Sequence, residues 1–136
     1  MKRLWIGLAV ITLVFLASCR HSTPFTDAPV GISSCSTGAD PTLSIGAGNQ
    51  INWTAQDNDY TVIFPNPGTN PAPGTPFQSG GVPRFNFQIP RGTTVNSGGA
   101  HLPTGYYKYS IYTGLLSGMP PAGTQPCKDP GLHVKD

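Results

Sequence analysis

The sequence predicts an all-β fold: a single Greek-key β-sandwich or barrel with long Pro/Gly-rich loops. Three observations point there. The 136 residues contain no Glu, only 10% are charged, and there are 17 Gly and 15 Pro. Amphipathic helices need straight-chain charged residues on an outer face, and this composition leaves few for that purpose. Apolar residues also recur with a period of two in short runs, each bounded by Gly, Pro, Asn or Asp, which is the pattern of half-buried strands joined by turns.

Seven strands follow in order. Leu43-Ser44-Ile45 alternates and stops at Gly46 to Asn49. Gln50 to Thr54 puts Ile51 and Trp53 on one face. Tyr60 to Phe64 is β-branched and aromatic and is stopped by Pro65. Arg84 to Ile89 alternates strictly up to Pro90, and Thr93-Thr94-Val95 is a short piece after it. Gly105 to Tyr112 puts Tyr107, Tyr109 and Ile111 on one face, with Tyr106 and Tyr112 on the other. Leu132-His133-Val134 closes the chain. Between Pro65 and Pro83 the density of Pro and Gly excludes a central strand and predicts a long excursion, as does Gly114 to Thr124 on a smaller scale.

The N-terminus reads differently. Met1-Lys2-Arg3 is positive, and the 13 residues Leu4 to Leu16 are apolar apart from Gly7 and Thr12. That run is too short to span a bilayer comfortably and suits the hydrophobic region of an export signal. Leu16-Ala17-Ser18-Cys19 resembles the lipobox of bacterial lipoprotein signal peptides. The resemblance implies a signal over residues 1–18 and lipid on Cys19, which becomes the first residue of the mature chain. Arg20 stands where an Asp would retain such a protein in the inner membrane, so the resemblance implies the outer membrane, on its periplasmic or surface face. Residues 19–34, polar and small, are expected to be a tether, and residues 35–136 the sandwich.

Removing 18 of 136 residues leaves 118, one domain by length. Arg20, Arg84, Arg91, Lys108, Lys128 and Lys135 balance six Asp, so the mature chain is formally neutral. It has no basic stripe for phosphates, which argues against nucleic acid as a partner. Besides Cys19 there are two cysteines, Cys35 and Cys127. In an oxidising compartment a disulfide is the default expectation, with free thiols or metal ligation as alternatives. Such a bridge would contribute on the order of 4 to 5 kcal/mol by chain entropy.

The order of the strands resembles the cupredoxin-like family over roughly residues 38–135. Gly48-Asn49-Gln50-Ile51-Asn52-Trp53 is similar to that family's G-D-x-V-x-W strand, and Tyr60-Thr61-Val62-Ile63-Phe64 to its H-T-V-x-F strand. Gly105 to Ile111 is similar to G-x-Y-x-Y-x-C, and Asp129 to Val134 to a closing D-P-x-x-x-V. The resemblance implies the sandwich. It does not carry the copper site, which needs two imidazoles and a thiolate, usually with an axial thioether. Tyr60 stands at the first His position, Ile111 at the Cys and Gly114 at the second His, leaving Met119 as the remaining thioether. No cofactor and no metal site are therefore expected.

The other chemistry is sparse. His21, His101 and His133 are scattered. Asp57 and Asp59 flank Asn58 without the further acids that a calcium loop supplies, and turn chemistry explains them equally well. No Ser/His/Asp spacing stands out. Tyr106 and Tyr112, outward with Lys108 and Ser110, are the candidate surface for a protein or glycan; an ordinary cross-strand ladder explains them too. The function expected is non-enzymatic: a lipid-anchored envelope protein held to the membrane through Cys19, with a binding or structural role toward another envelope protein or a glycan. The alternative is copper handling or electron transfer at an atypical site.

Overall fold

A computed structural model describes residues 27–44, 49–64, 74–101 and 104–135, so the signal, Cys19 and the first half of the tether lie outside the described residues. Among the described residues there are eleven strands and no helix: β1 (Ala28–Ile32), β2 (Thr42–Ser44), β3 (Ile51–Ala55), β4 (Tyr60–Ile63), β5 (Gln78–Ser79), β6 (Val82–Pro83), β7 (Asn86–Ile89), β8 (Thr94–Asn96), β9 (Gly105–Lys108), β10 (Ser110–Thr113) and β11 (Gly131–Lys135).

Nine of them form two facing sheets, and β5 and β6 pair only with each other. The first runs β1-β3-β8, with β1 parallel and β8 antiparallel to β3. The second joins two ladders, β2-β11-β9 and β10-β4-β7. They are continuous because β9 and β10 are one chain interrupted at Tyr109. The arm before β11 also keeps the pairing, through Tyr109 N–H to Pro130 O at 3.1 Å and Ile111 N–H to Lys128 O at 2.8 Å. Alternation places the apolar residues between the sheets. From the first come Val30, Ile32, Ile51, Trp53 and Ala55; from the second, Leu43, Tyr60, Val62, Phe64, Phe87, Ile89, Tyr107, Tyr109, Ile111, Leu132 and Val134, all buried. Trp53 is central, with ring centroids 4.7 Å from Phe87, 5.9 Å from Phe77 and 6.4 Å from both Phe64 and Tyr109. Tilted and edge-on arrangements of this kind suit the ring quadrupoles.

The all-β sandwich expected from the sequence is the fold observed, with three corrections. First, the tether does not extend to residue 34. Ala28–Ile32 pairs in parallel with β3 and buries Val30 and Ile32. Pro29 is tolerated because β1 is an edge strand: Ala28 N–H donates to Gln50 O at 2.9 Å, and alternation directs the next nitrogen to the open side. Second, the Pro65–Pro83 excursion ends in structure. Phe77 pairs with Ala100 and is fully buried, and β5 and β6 form a hairpin through Gly80 and Gly81, both at positive φ. Third, Gly105 to Tyr112 is not one uninterrupted strand, since Tyr109 belongs to neither β9 nor β10 and the two pair along their length with different strands, β11 and β4.

The Gly114 to Met119 loop also has a structural role. Every residue of β4 is buried. Tyr60 and Val62 face the core, while Thr61 and Ile63 face outward and are covered by this loop. Thr61 Oγ1 donates to Gly114 O at 2.6 Å and accepts from Leu116 N at 2.9 Å. Asn86 Nδ2 donates to the Leu116 and Gly118 carbonyls at 3.0 and 3.1 Å. Buried polar groups on a central strand require such partners.

Candidate functional site

Two regions hold the residues singled out in the sequence. At one end of the sandwich, Cys35 and Cys127 form a disulfide with Cα atoms 5.9 Å apart, inside the range a bridge requires. Cys35 follows β1, where Ser34 and Cys35 both take left-handed conformations with φ of 48° and 58°. These residues resist that conformation, and Asp57 holds the corner in place. Ser34 N–H donates to Asp57 Oδ2 at 2.7 Å, and the Tyr60 hydroxyl donates to Asp57 Oδ1 at 2.7 Å while accepting from Cys35 N–H at 3.1 Å. The Ser34 backbone N–H, with the Tyr60 hydroxyl second, holds the Asp57 carboxyl below its ordinary value of 3.8. Asp59 Oδ1 accepts from Arg91 N at 2.8 Å. Turn chemistry thus employs both aspartates.

The resemblance assigns copper ligands to Tyr60, Ile111, Gly114 and Met119, and the structure does not gather the four at this corner. Tyr60 is 1% exposed and engaged as described, and Ile111 is in the core. Gly114 gives its carbonyl to Thr61 and its N–H to Asp59 O at 2.7 Å. Met119 is 63% exposed. It lines an apolar recess of about 190 Å³ with Ile63, Phe85, Asn86 and Gly118, at the far end of β4 from Tyr60. A shallower groove of about 470 Å³, of mixed polar and apolar lining, runs along Arg84, Asn86, Gln88, Val95 and Ser117. Among the described residues no three His, Cys, Asp or Glu side chains come together.

The second region is the outer face of β9–β11. Tyr106 is 40% exposed and Tyr112 half-buried. Six steps of extended chain separate them, about 20 Å, so they do not form one patch. Tyr106 is used within the protein. Its ring stacks on His133 at 4.7 Å, its hydroxyl donates to Asp40 Oδ2 at 3.1 Å, and it covers Gly131, where any Cβ would collide with the ring. Burial of the phenol and the Asp40 carboxylate raise its pKa. Tyr109 is pushed far higher, chiefly by burial. Lys108 shares the face. Sequence reasoning missed Asp40, which sits between β1 and β2 and reaches Tyr106 only through the fold, and Phe77, whose one available signal was the Gly80-Gly81 turn after it.

The fold and these regions define a class: a disulfide-closed, all-β sandwich of two mixed sheets. Comparison with known proteins adds a likeness of structure. The chain is similar to a proline-to-glycine mutant of amicyanin in its reduced Cu(I) form at pH 4, with a TM-score of 0.45 and 12% identity, over 85% of this chain and 95% of that one. No family model matches the sequence, and no curated protein matches it.

Proposed function

We propose that this chain is a lipid-anchored protein of the bacterial envelope whose cupredoxin-like sandwich serves a binding or structural role without catalysis. The observation that carries this reading is what stands at the three ligand positions. Tyr60, Ile111 and Gly114 are each committed to the fold, by the Asp57–Cys35 corner, by the core and by the Thr61 contact. Neither an aliphatic side chain nor a glycine offers a soft donor, and the two cysteine sulfurs outside the lipobox are joined to each other. Anchoring is supported by Leu16-Ala17-Ser18-Cys19. Two acyl chains or more would hold the protein stably where a single chain would not.

Two measurements test the reading. Cys19→Ser should abolish labelling by a clickable fatty acid and leave uncleaved or soluble protein; a mutant that still labels removes the anchoring. Purified protein given Cu²⁺ should show no intense visible copper–thiolate absorption. A stoichiometric blue band would establish the copper-handling reading in its place.

A further inference from the structure

We infer that the sandwich sits end-on against the membrane, with the β5–β6 hairpin and the 97–101 loop against phospholipid headgroups and the disulfide end directed away. The inference rests on lipidation of Cys19 and adds an orientation and a lipid-facing surface to it.

The first support is the length of chain between the anchor and the first strand. Only eight residues, 20–27, separate Cys19 from β1. Fully extended, nine Cα–Cα steps reach about 30 Å; as a coil they average about 15 to 18 Å. A domain of this size is about 35 Å across, given a radius of gyration near 13 Å. The attachment end must therefore stay near the bilayer. The exit point is fixed as well: Ala28 N–H donates to Gln50 O, and the Asp27 carboxylate accepts from Gln50 Nε2 at 2.8 Å and Asn52 Nδ2 at 2.7 Å.

The strand register identifies what shares that end. β8 is antiparallel to β3 and finishes beside Ala28's partner, with Ser97 N–H donating to Ile51 O and Ala100 N–H to Asn49 O. His101 N–H donates to Pro76 O and Arg84 N–H to Phe77 O, so the hairpin springs from the same place. Lys135 pairs with Ser44, whose carbonyl accepts from Asn49 N–H. β4 runs toward this end, and Gly118 is held there by Asn86, opposite Ile63.

The surface there differs from that at the other end. Val82, 65% exposed, and Met119, 63% exposed, are the two most exposed large apolar side chains among the described residues, and both belong to this end. Arg84 and Lys135 accompany them, and the one described carboxylate, Asp27, is occupied by two amides. Asp57 and Asp59 lie at the opposite end, in the turn after β3, with Arg91 beside Asp59. Exposed apolar groups with cations suit an anionic headgroup layer; paired carboxylates such as Asp57 and Asp59 do not.

The test uses the full lipidated chain in vesicles of phosphatidylethanolamine and phosphatidylglycerol that carry a headgroup quencher. A fluorescent noncanonical amino acid replaces either Ser79, in the hairpin, or Asn58, in the opposite turn; both are exposed. Quenching at position 79 should exceed that at 58 by at least about twofold, as the tether's short reach requires. Protein that floats with the vesicles but is quenched equally at both positions, or more at 58, overturns the orientation while leaving the anchor intact. Protein that does not float overturns the anchor, and the orientation with it.

Discussion

Asp57 shows how one residue can link sequence-distant pieces. Its carboxylate takes the Ser34 N–H and the Tyr60 hydroxyl, and the same Tyr60 oxygen takes the Cys35 N–H. Two residues in left-handed conformations are thereby secured at the point where β1 gives way to the disulfide. The Asp57 pKa is depressed, so the fold favours its ionised form. Stability from this source is fully present above the ordinary value of 3.8 and is lost as pH falls below it through the folded pKa. Asp57→Asn should therefore be less stable than the parent at neutral pH, with the gap closing in acid. Urea unfolding near neutrality and near pH 3, about one unit below the ordinary carboxylate value, reads this directly. An equal gap at both pH values would show that Asp57 acts through packing and not through its charge.

Phe77 makes the corresponding point for an element. The hairpin contributes almost nothing to the core through its own strands, since Ser79, Val82 and Pro83 are exposed. Besides the backbone bonds at its base, it is joined to the core by one ring, fully buried against Trp53, Phe64 and Phe87 at 5.9, 5.6 and 5.8 Å. Phe77→Ala should cost about 3 to 5 kcal/mol and should open the hairpin to proteolysis before the sheets unfold. A loss well under 1 kcal/mol in chemical denaturation would mean that Phe77 is dispensable to the core. Strands such as β3, β7 and β11 were legible because each carries an alternation that sheet burial requires, as in Asn86-Phe87-Gln88-Ile89, and β4 was legible as a β-branched and aromatic run stopped by Pro65. The hairpin was not legible, because a single aromatic after Pro76 has no period. β1 was hidden by Pro29 and Gly31, which only an edge strand accepts. The structural use of Tyr106 was equally unreadable, since its partners Asp40, Gly131 and His133 are distant in sequence. At the candidate ligand positions the residue identities were legible, while the hydrogen bonds committing Tyr60 and Gly114 depend on which loops the topology brings beside them.

At the scale of the whole molecule, the disulfide ties the first sheet to the second. Cys35 ends the arm leaving β1, an edge of the first sheet. Cys127 begins the arm that pairs with Ile111 and leads into β11 of the second, its N–H donating to Ile111 O at 2.8 Å. The two cysteines are 92 residues apart, so the bridge closes almost the entire domain. Its value lies largely in the unfolded chain, which is rich in glycine and has correspondingly more freedom to lose on folding. The sandwich has no helix among its described residues to store local stability, and most of its contacts are between distant segments, so loop closure is a large share of what folding must overcome. Replacing both cysteines by serine should thus cost about 2 to 5 kcal/mol. It should lower the melting temperature by at least about 8 °C, at roughly 4 °C or more per kcal/mol for a domain near this size. Reductant should reproduce most of that loss in the parent protein and change nothing in the double variant. Mass spectrometry of the oxidised protein should find one peptide linked through Cys35 and Cys127. Alkylation of both thiols in the folded, oxidised protein would refute the bridge, and with it the account of how so Gly- and Pro-rich a chain is kept folded.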